Sequence, residues 1–311
     1  MSTSDPATWG DPDLVVAKGV PQIGTLDAIR GSVGRRHLVP TSVALVGTDL
    51  LYGTVTRLRA SKRDYAERTM RAILPPGTPD AEVARLAPHH VASMARAWEL
   101  TWRPGELAAL PLRGEHHLRD AVAAGRGVLV SYVHYGPEMG WVRIAPLTPM
   151  LAVLGDWIVD PVPPGYNGLQ VERRRTVLAE AGFHLSSVAT SARRMLSVLR
   201  CAGTVLLAMD VPGARLTRYL GKDVEMADGT ARLATSTGAL VVPAALVPDG
   251  RRWAVQIQPA LDPQDLGGAP ALHQALADVH TGIVLKAPEH LGSPLRQGFW
   301  GTADANGWSR S

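Results

Sequence analysis

Cysteine is almost missing from this chain. Cys201 stands alone in 311 residues, which excludes an intrachain disulfide and any zinc or iron–sulfur site built from several cysteines. A reducing compartment is the natural expectation, and no metal site is expected. Long apolar runs are missing too. The best candidate, residues 38–52, is interrupted by Pro40 and Asp49, and a helix that spans a bilayer needs ~20 mostly apolar residues. The first residues carry acids and prolines in place of a basic segment followed by an apolar one, so no signal peptide is expected. Lysine is scarce, and arginine supplies most of the net charge of +4. A basic chain suits an anionic partner such as a phosphate-bearing cofactor, an acidic carrier protein, a lipid head or RNA; an Arg-rich composition without any partner is the alternative. Aromatics make up 5 % of the chain, with two Phe against eight Trp.

What is present is an ordinary globular balance, 46 % hydrophobic and 19 % charged, enough for a sizeable core. There is neither an internal repeat nor a low-complexity linker. Residues 1–40 are rich in Pro, Gly and polar residues and read as an irregular lead segment. Helical signals fill 42–73. A second helical stretch runs over 78–101, where Thr78 can cap, Pro79 suits the first position, and Pro88 should divide or kink the helix. From residue 111 onward helix and strand alternate. Helices are expected near 114–125, 137–145, 169–181, 190–201, 228–237 and 271–285. Strands are expected at 127–133, 151–154, 184–188, 204–209, 240–247 and 253–258. The pattern predicts one α/β domain with a mostly parallel central sheet flanked by helices, preceded by a helical part over 41–110.

Two stretches could carry chemistry. The first is GRGVLVSYVHYGPEMG, residues 125–140. An apolar strand ends in His134, Gly136 turns the chain, and Pro137 opens a helix with Glu138 in its first turn. Reactive groups in open α/β sheets collect at the carboxyl ends of strands. Glu138 could fix one ring nitrogen of His134, leaving the other to take a proton; alternatively Glu138 only favours the helix start while His134 bonds a backbone carbonyl. The second stretch follows the strand that ends in Asp210. A glycine-bearing loop holds Arg215, Arg218 and Lys222, and Asp228-Gly229-Thr230 then starts a helix. The free amides at Gly229 and Thr230 could receive an anion with help from the basic loop; a solvated loop with an Asp cap is the plain alternative. In Glu172-Arg-Arg-Arg175 the three arginines point in different directions, and a solvated face is expected. Trp141 and Trp157 could line an acceptor pocket, though packing explains them as well.

Taken in order, these segments resemble the lysophospholipid acyltransferase superfamily, and more narrowly its lipid A late (lauroyl/myristoyl) acyltransferase and phosphatidylinositol mannoside acyltransferase-like branch. The resemblance is carried by 112–130, by His134-Tyr-Gly-Pro-Glu138, by 192–210, by Leu220-Gly221, Met226-Ala-Asp-Gly229 and 233–243, and by Pro288-Glu-His290. It implies a glycerol-3-phosphate acyltransferase-like fold over 41–311. It also implies transfer of an acyl group from an acyl carrier protein or coenzyme A thioester to a hydroxyl or amino acceptor. His134 would be the general base, with no acyl-enzyme and no bound cofactor. Glu138 and Asp210 would assist, and Tyr135, Arg215, Arg218, Lys222, Gly229 and Thr230 would contact substrate. The family's carboxylate lies five residues after its histidine. Met139 holds that position here and Glu138 comes one early, so Glu138 reaches His134 only through a tightened turn; otherwise Asp210 or another acid orients the ring.

Without an expected membrane anchor, the enzyme is expected in the cytoplasm, at most peripheral to the inner face of the membrane, acting on a small-molecule or lipid acceptor. Two other readings stay open. One takes an aminoacyl-tRNA ester as donor. The other is an inactive relative that binds a carrier or a membrane surface.

Overall fold

The computed structural model describes residues 5, 6, 9, 31–155, 165–188, 191–250 and 252–292. Most of the expected lead segment, and Trp157, lie outside them. Within 1–40 one piece departs from the expected irregularity, since Val33–His37 forms a short helix (α1). Trp9 is also buried and meets His184 edge to face.

A helical layer follows: α2 (Thr41–Leu58), α3 (Ala60–Ile73), α4 (Asp80–Thr101) and α5 (Pro104–Ala108). Pro88 does not divide α4, which continues through it as one helix, and Pro88 is itself buried; packing outweighs the local cost of a missing N–H. Thr78 does not cap α4. Its hydroxyl donates to the Pro75 carbonyl at 2.7 Å, and Pro79 holds the cap position.

The sheet is assembled from β1 (Leu112–Arg113), β2 (Val128–Tyr132), β3 (Met150–Leu154), β4 (His184–Ser187), β5 (Thr204–Ala208), β8 (Leu240–Asp249) and β9 (Arg252–Ile257). Their order is β1-β9-β8-β2-β5-β3-β4. Only the β8–β9 pair is antiparallel. Helices α6 (Glu115–Ala123), α7 (Gly165–Glu180), α8 (Ser191–Arg200), α9 (Gly229–Thr237) and α10 (Ala269–Val284) connect these strands or close the chain. Strand residues alternate between two cores. Leu129, Leu151, Val205 and Val241 face one. Val128, Val130, Ala152, Leu206 and Val242 face the other. Both faces are dry, which is why the strands read as near-continuous apolar runs. Each fully buried Val or Leu stabilises the fold by about 1.5–3 kcal/mol.

The expected basic loop after Asp210 is instead a hairpin, β6 (Pro212–Tyr219) and β7 (Lys222–Met226), paired antiparallel. Its two-residue turn is Leu220-Gly221, both at positive φ. That turn lacks the Asn-Gly or Asp-Gly signature by which such hairpins are recognised in a sequence.

The turn after β2 is buttressed by the end of the described chain. The Gly136 N–H donates to the His290 carbonyl at 2.9 Å, and the Gly292 N–H donates to the His134 carbonyl. Tyr135 pairs with Leu291 across an isolated bridge. Gly136 sits at φ +72, and a Cβ there would come within 2.6 Å of the Trp253 ring. A Gly136→Val variant should therefore lose about 2–4 kcal/mol of stability through backbone strain and the clash together. Equilibrium urea denaturation measures this, and a loss under about 0.5 kcal/mol, the ordinary range for an unconstrained surface change, would show that the turn is not constrained as described.

Candidate active site

Strands β2 and β5 lie side by side, parallel and in register, with Tyr132 opposite Ala208. The Met209 N–H continues the ladder to the Tyr132 carbonyl at 2.8 Å. Two residues beyond each paired end stand His134 and Asp210. The register alone thus brings together two groups 76 residues apart. Asp210 Oδ1 lies 2.7 Å from His134 Nδ1, and Asp210 Oδ2 accepts the His134 backbone N–H at 2.9 Å. This two-point grip orients both the backbone and the ring. The Asp210 side chain is fully buried, whereas the His134 side chain keeps 28 % of its surface exposed. The imidazole therefore reaches solvent at the rim of the sheet and is not sealed in the core.

Glu138 comes to the opposite edge of the ring. Residues Glu138–Arg143 form a 3₁₀ helix, tighter than an α-helix. The turn before it, with Gly136 at positive φ, brings Glu138 Oε1 to 3.7 Å from His134 Nε2. The distance exceeds a hydrogen bond but falls well within Coulombic reach. Glu138 is held from behind by Arg174, with Nη1 at 3.5 Å from its Oε2. The Arg174 guanidinium in turn lies 4.1 Å over the Trp98 ring of α4. Of the two carboxylates, Asp210 is placed to fix the tautomer, and Glu138 flanks the nitrogen that is left.

Burial by itself would push the His134 ring toward neutrality. Asp210 and Glu138 outweigh it, and the pKa rises from 6.5 to about 9. The half-buried Tyr132 and the fully buried Tyr219 are held protonated far above the ordinary phenol range, by burial first and then by nearby negative charge, Glu138 and Asp210 for Tyr132 and Asp210 for Tyr219.

The remaining expected site residues have partners of their own. Tyr135 is buried, and its hydroxyl donates to the Ala287 carbonyl at 3.0 Å, so it packs the closing segment and presents no face to a substrate. Arg215 pairs with Asp228 at 3.2 Å. Arg218 pairs with Asp223 at 3.3 Å. The Lys222 ammonium donates to the Arg71 and Ala72 carbonyls at the end of α3, where the helix leaves acceptors open. Gly229 and Thr230 do start α9, with Thr230 buried. The negative charge at that helix start is already supplied by Asp228, itself paired with Arg215. The three basic side chains are thus used in holding the hairpin and its neighbours.

Glu172–Arg175 is not a solvated face. Glu172, Arg174 and Arg175 are buried, and Arg175 pairs with Glu172. Arg174 and Trp98 are the parts of the site that sequence reasoning missed. A triple arginine on a helix gives no sign of which member turns inward. Trp141 is buried against Tyr132, with ring centroids 5.1 Å apart. Among the described residues no group of three or more His, Cys, Asp or Glu could hold a metal ion.

Two carboxylates bracket one imidazole at the carboxyl rim of a parallel sheet in an α/β fold, where reactive groups of such sheets collect. The chain belongs to the bacterial lipid A biosynthesis acyltransferase family, whose sequence profile matches residues 37–291. It is thus an acyltransferase, as the resemblance implied. Among solved structures it is similar to the 1-acyl-sn-glycerophosphate (LPA) acyltransferase PlsC from Thermotoga maritima, with 16 % identity, a TM-score of 0.37, and coverage of 82 % of this chain and 97 % of that one. That likeness is too distant to assign any residue a role. No curated protein matches the chain.

Proposed function

We propose that this acyltransferase uses His134 as a general base to move an acyl group from a thioester, on acyl carrier protein or coenzyme A, directly to a hydroxyl or amino acceptor. The observation that carries the reading is the Nδ1 grip of Asp210, which leaves Nε2 at the open rim of the sheet. Asp210 holds the proton on Nδ1, so Nε2 presents its lone pair once the ring is neutral. The acceptor's O–H or N–H gives its proton to Nε2 while the oxygen or nitrogen attacks the thioester carbonyl. The imidazolium that forms lies between two carboxylates, which stabilise it. Collapse of the tetrahedral intermediate breaks the C–S bond. The thiolate leaves, and the imidazolium can return the proton to it, since a thiol of pKa about 8.5 is close to the raised value of the ring. Tyr135, Arg215, Arg218 and Lys222 take no substrate role in this scheme.

The direct route predicts that no acyl group ever resides on the protein. Purified enzyme is incubated separately with acyl-carrier, acyl-coenzyme A and aminoacyl-tRNA donors, and intact-protein mass spectrometry is read before acceptor is added. The expected spectrum is that of the unmodified chain with every donor, with turnover appearing on thioesters once acceptor is present. A stoichiometric acyl adduct that discharges to acceptor would overturn the mechanism, and turnover on aminoacyl-tRNA alone would overturn the thioester donor.

A further inference from the structure

Direct attack on a thioester creates one charge that still needs a partner. The carbonyl oxygen becomes an oxyanion, and it forms in a site whose two carboxylates repel it. A preorganised donor aimed at that oxygen is usually the largest single contribution to such a reaction. The backbone N–H groups around the imidazole are already engaged. His134 donates to Asp210, Tyr135 to the Val133 carbonyl at 2.7 Å, and Gly136 to the His290 carbonyl at 2.9 Å. Arg174 is occupied by Glu138 and by the Trp98 ring.

Tyr132 carries a donor that is not spent. It is the last residue of β2, two before His134, and the strand period of two puts both side chains on one face of the sheet. Their ring centroids lie 5.8 Å apart. Across the ladder stands Ala208, whose methyl leaves room for the phenol on that side. The buried Trp141 ring meets the other partner of this small cluster, with its centroid 5.1 Å from that of Tyr132, so packing sets where the phenol lies. Tyr132 is only half-buried, and among the described residues its hydroxyl makes no hydrogen bond and is not sealed from solvent. The Tyr135 hydroxyl, by contrast, is held by the Ala287 carbonyl. The Trp141 N–H also lacks a partner among the described residues, but it is shut in the core. Burial, then the charge of Glu138 and of Asp210, keeps the Tyr132 phenol protonated, so it remains a donor at any pH at which His134 is a base.

We propose that Tyr132 is a catalytic residue whose hydroxyl donates a hydrogen bond to the thioester carbonyl oxygen as that oxygen becomes negative. The phenol keeps its proton throughout. The acceptor's proton goes to Nε2 of His134, and the thiolate leaves. This assignment rests on the thioester mechanism with His134 as base, and adds the group that takes up the developing charge.

The test is Tyr132→Phe, assayed with a thioester donor and with the matching dithioester, in which C=S replaces C=O. Phenylalanine keeps the ring contacts and removes only a hydroxyl without a partner, so urea denaturation should match wild type. On the thioester, kcat should fall about 10²–10³-fold, with the KM of donor and acceptor little changed and the limb near pH 9 unmoved. The dithioester places the developing charge on sulfur, a weak hydrogen-bond acceptor, so most of the loss caused by Tyr132→Phe should vanish with that donor. Three results would overturn the proposal. The variant could keep kcat within a few-fold of wild type on the thioester. The loss could appear in the acceptor KM alone, which would make Tyr132 an acceptor-binding group. Or both donors could lose equally, which would make its role structural. The base assignment is judged separately. If wild type turns over thioesters and His134→Gln does not, that assignment stands whatever Tyr132→Phe does, whereas a wild type without thioester turnover removes both.

Discussion

A His134→Ala enzyme is expected to lose about 10²–10⁴-fold in kcat/KM, the usual worth of a positioned general base. Alanine also leaves the buried Asp210 without its ring partner, so some stability should go with the activity. His134→Gln separates the two effects. Its amide can still donate toward Asp210, but it cannot accept and hold a proton. It should fold close to wild type and remain as inactive as the alanine variant. Asp210→Asn is the sharper probe. Asp210 now accepts two hydrogen bonds, from the ring and from the backbone N–H of His134. An asparagine has a single oxygen for both, so if it keeps the backbone bond its amide donates toward Nδ1. That arrangement moves the ring proton to Nε2, the nitrogen that has to accept one. The wild-type kcat/KM should climb with pH and level off near pH 9, where His134 gives up its proton. Both carboxylates raise that value, so Glu138→Gln should shift the limb to lower pH. Should His134→Gln keep activity within a few-fold of wild type, the base assignment is wrong.

The stability of the fold should peak near pH 6.5 and fall on either side, for opposite reasons. Burial pushes His90, His280 and His290 down to about 4. Below pH 6.5 the unfolded chain binds protons at these rings and the native state does not, so stability is lost as pH drops from 6.5 toward 4. At about 1.4 kcal/mol per pKa unit, two or three such groups rival a total stability of about 5–15 kcal/mol, and the protein should unfold before pH 4. His134 works the other way. Its folded pKa lies above its unfolded one, so its contribution is fully present below pH 6.5 and disappears as pH rises through about 9. Urea titrations between pH 4 and 10 measure both limbs. His280→Gln should flatten the acid limb and His134→Gln the alkaline one. A wild-type profile flat from pH 7 to 4 would show that the buried histidines do not stay neutral in the native state.

The alternation of helix and strand was readable because β2, β3, β5 and β8 are buried on both faces, and such strands must be apolar throughout. Strand positions therefore came within a residue or two, as at Met150–Leu154 and His184–Ser187. The β6–β7 hairpin was not readable. Its turn residues are atypical, and Leu220 holds a positive φ while fully buried, a choice made by the core and not by local preference. Pro88 inside α4 is a similar case, since the helix survives because its neighbours hold it.

By itself the sequence determined that His134 ends a buried strand beside a glycine turn, that Asp210 ends another, and that no group of cysteines competes for the chemistry. These are local facts of polarity and chain direction. Which acid meets which ring nitrogen was decided only in three dimensions. Strand register set Asp210 on Nδ1, and the turn through Gly136 brought Glu138 to Nε2. Arg174, Arg215, Arg218 and Lys222 look alike in sequence. Arg174 pairs with Glu138, whereas Arg215 and Arg218 pair with Asp228 and Asp223 and Lys222 donates to carbonyls at the end of α3, because a cation's partner depends on which carboxylate or carbonyl the fold places within a few ångströms, and no local pattern encodes that.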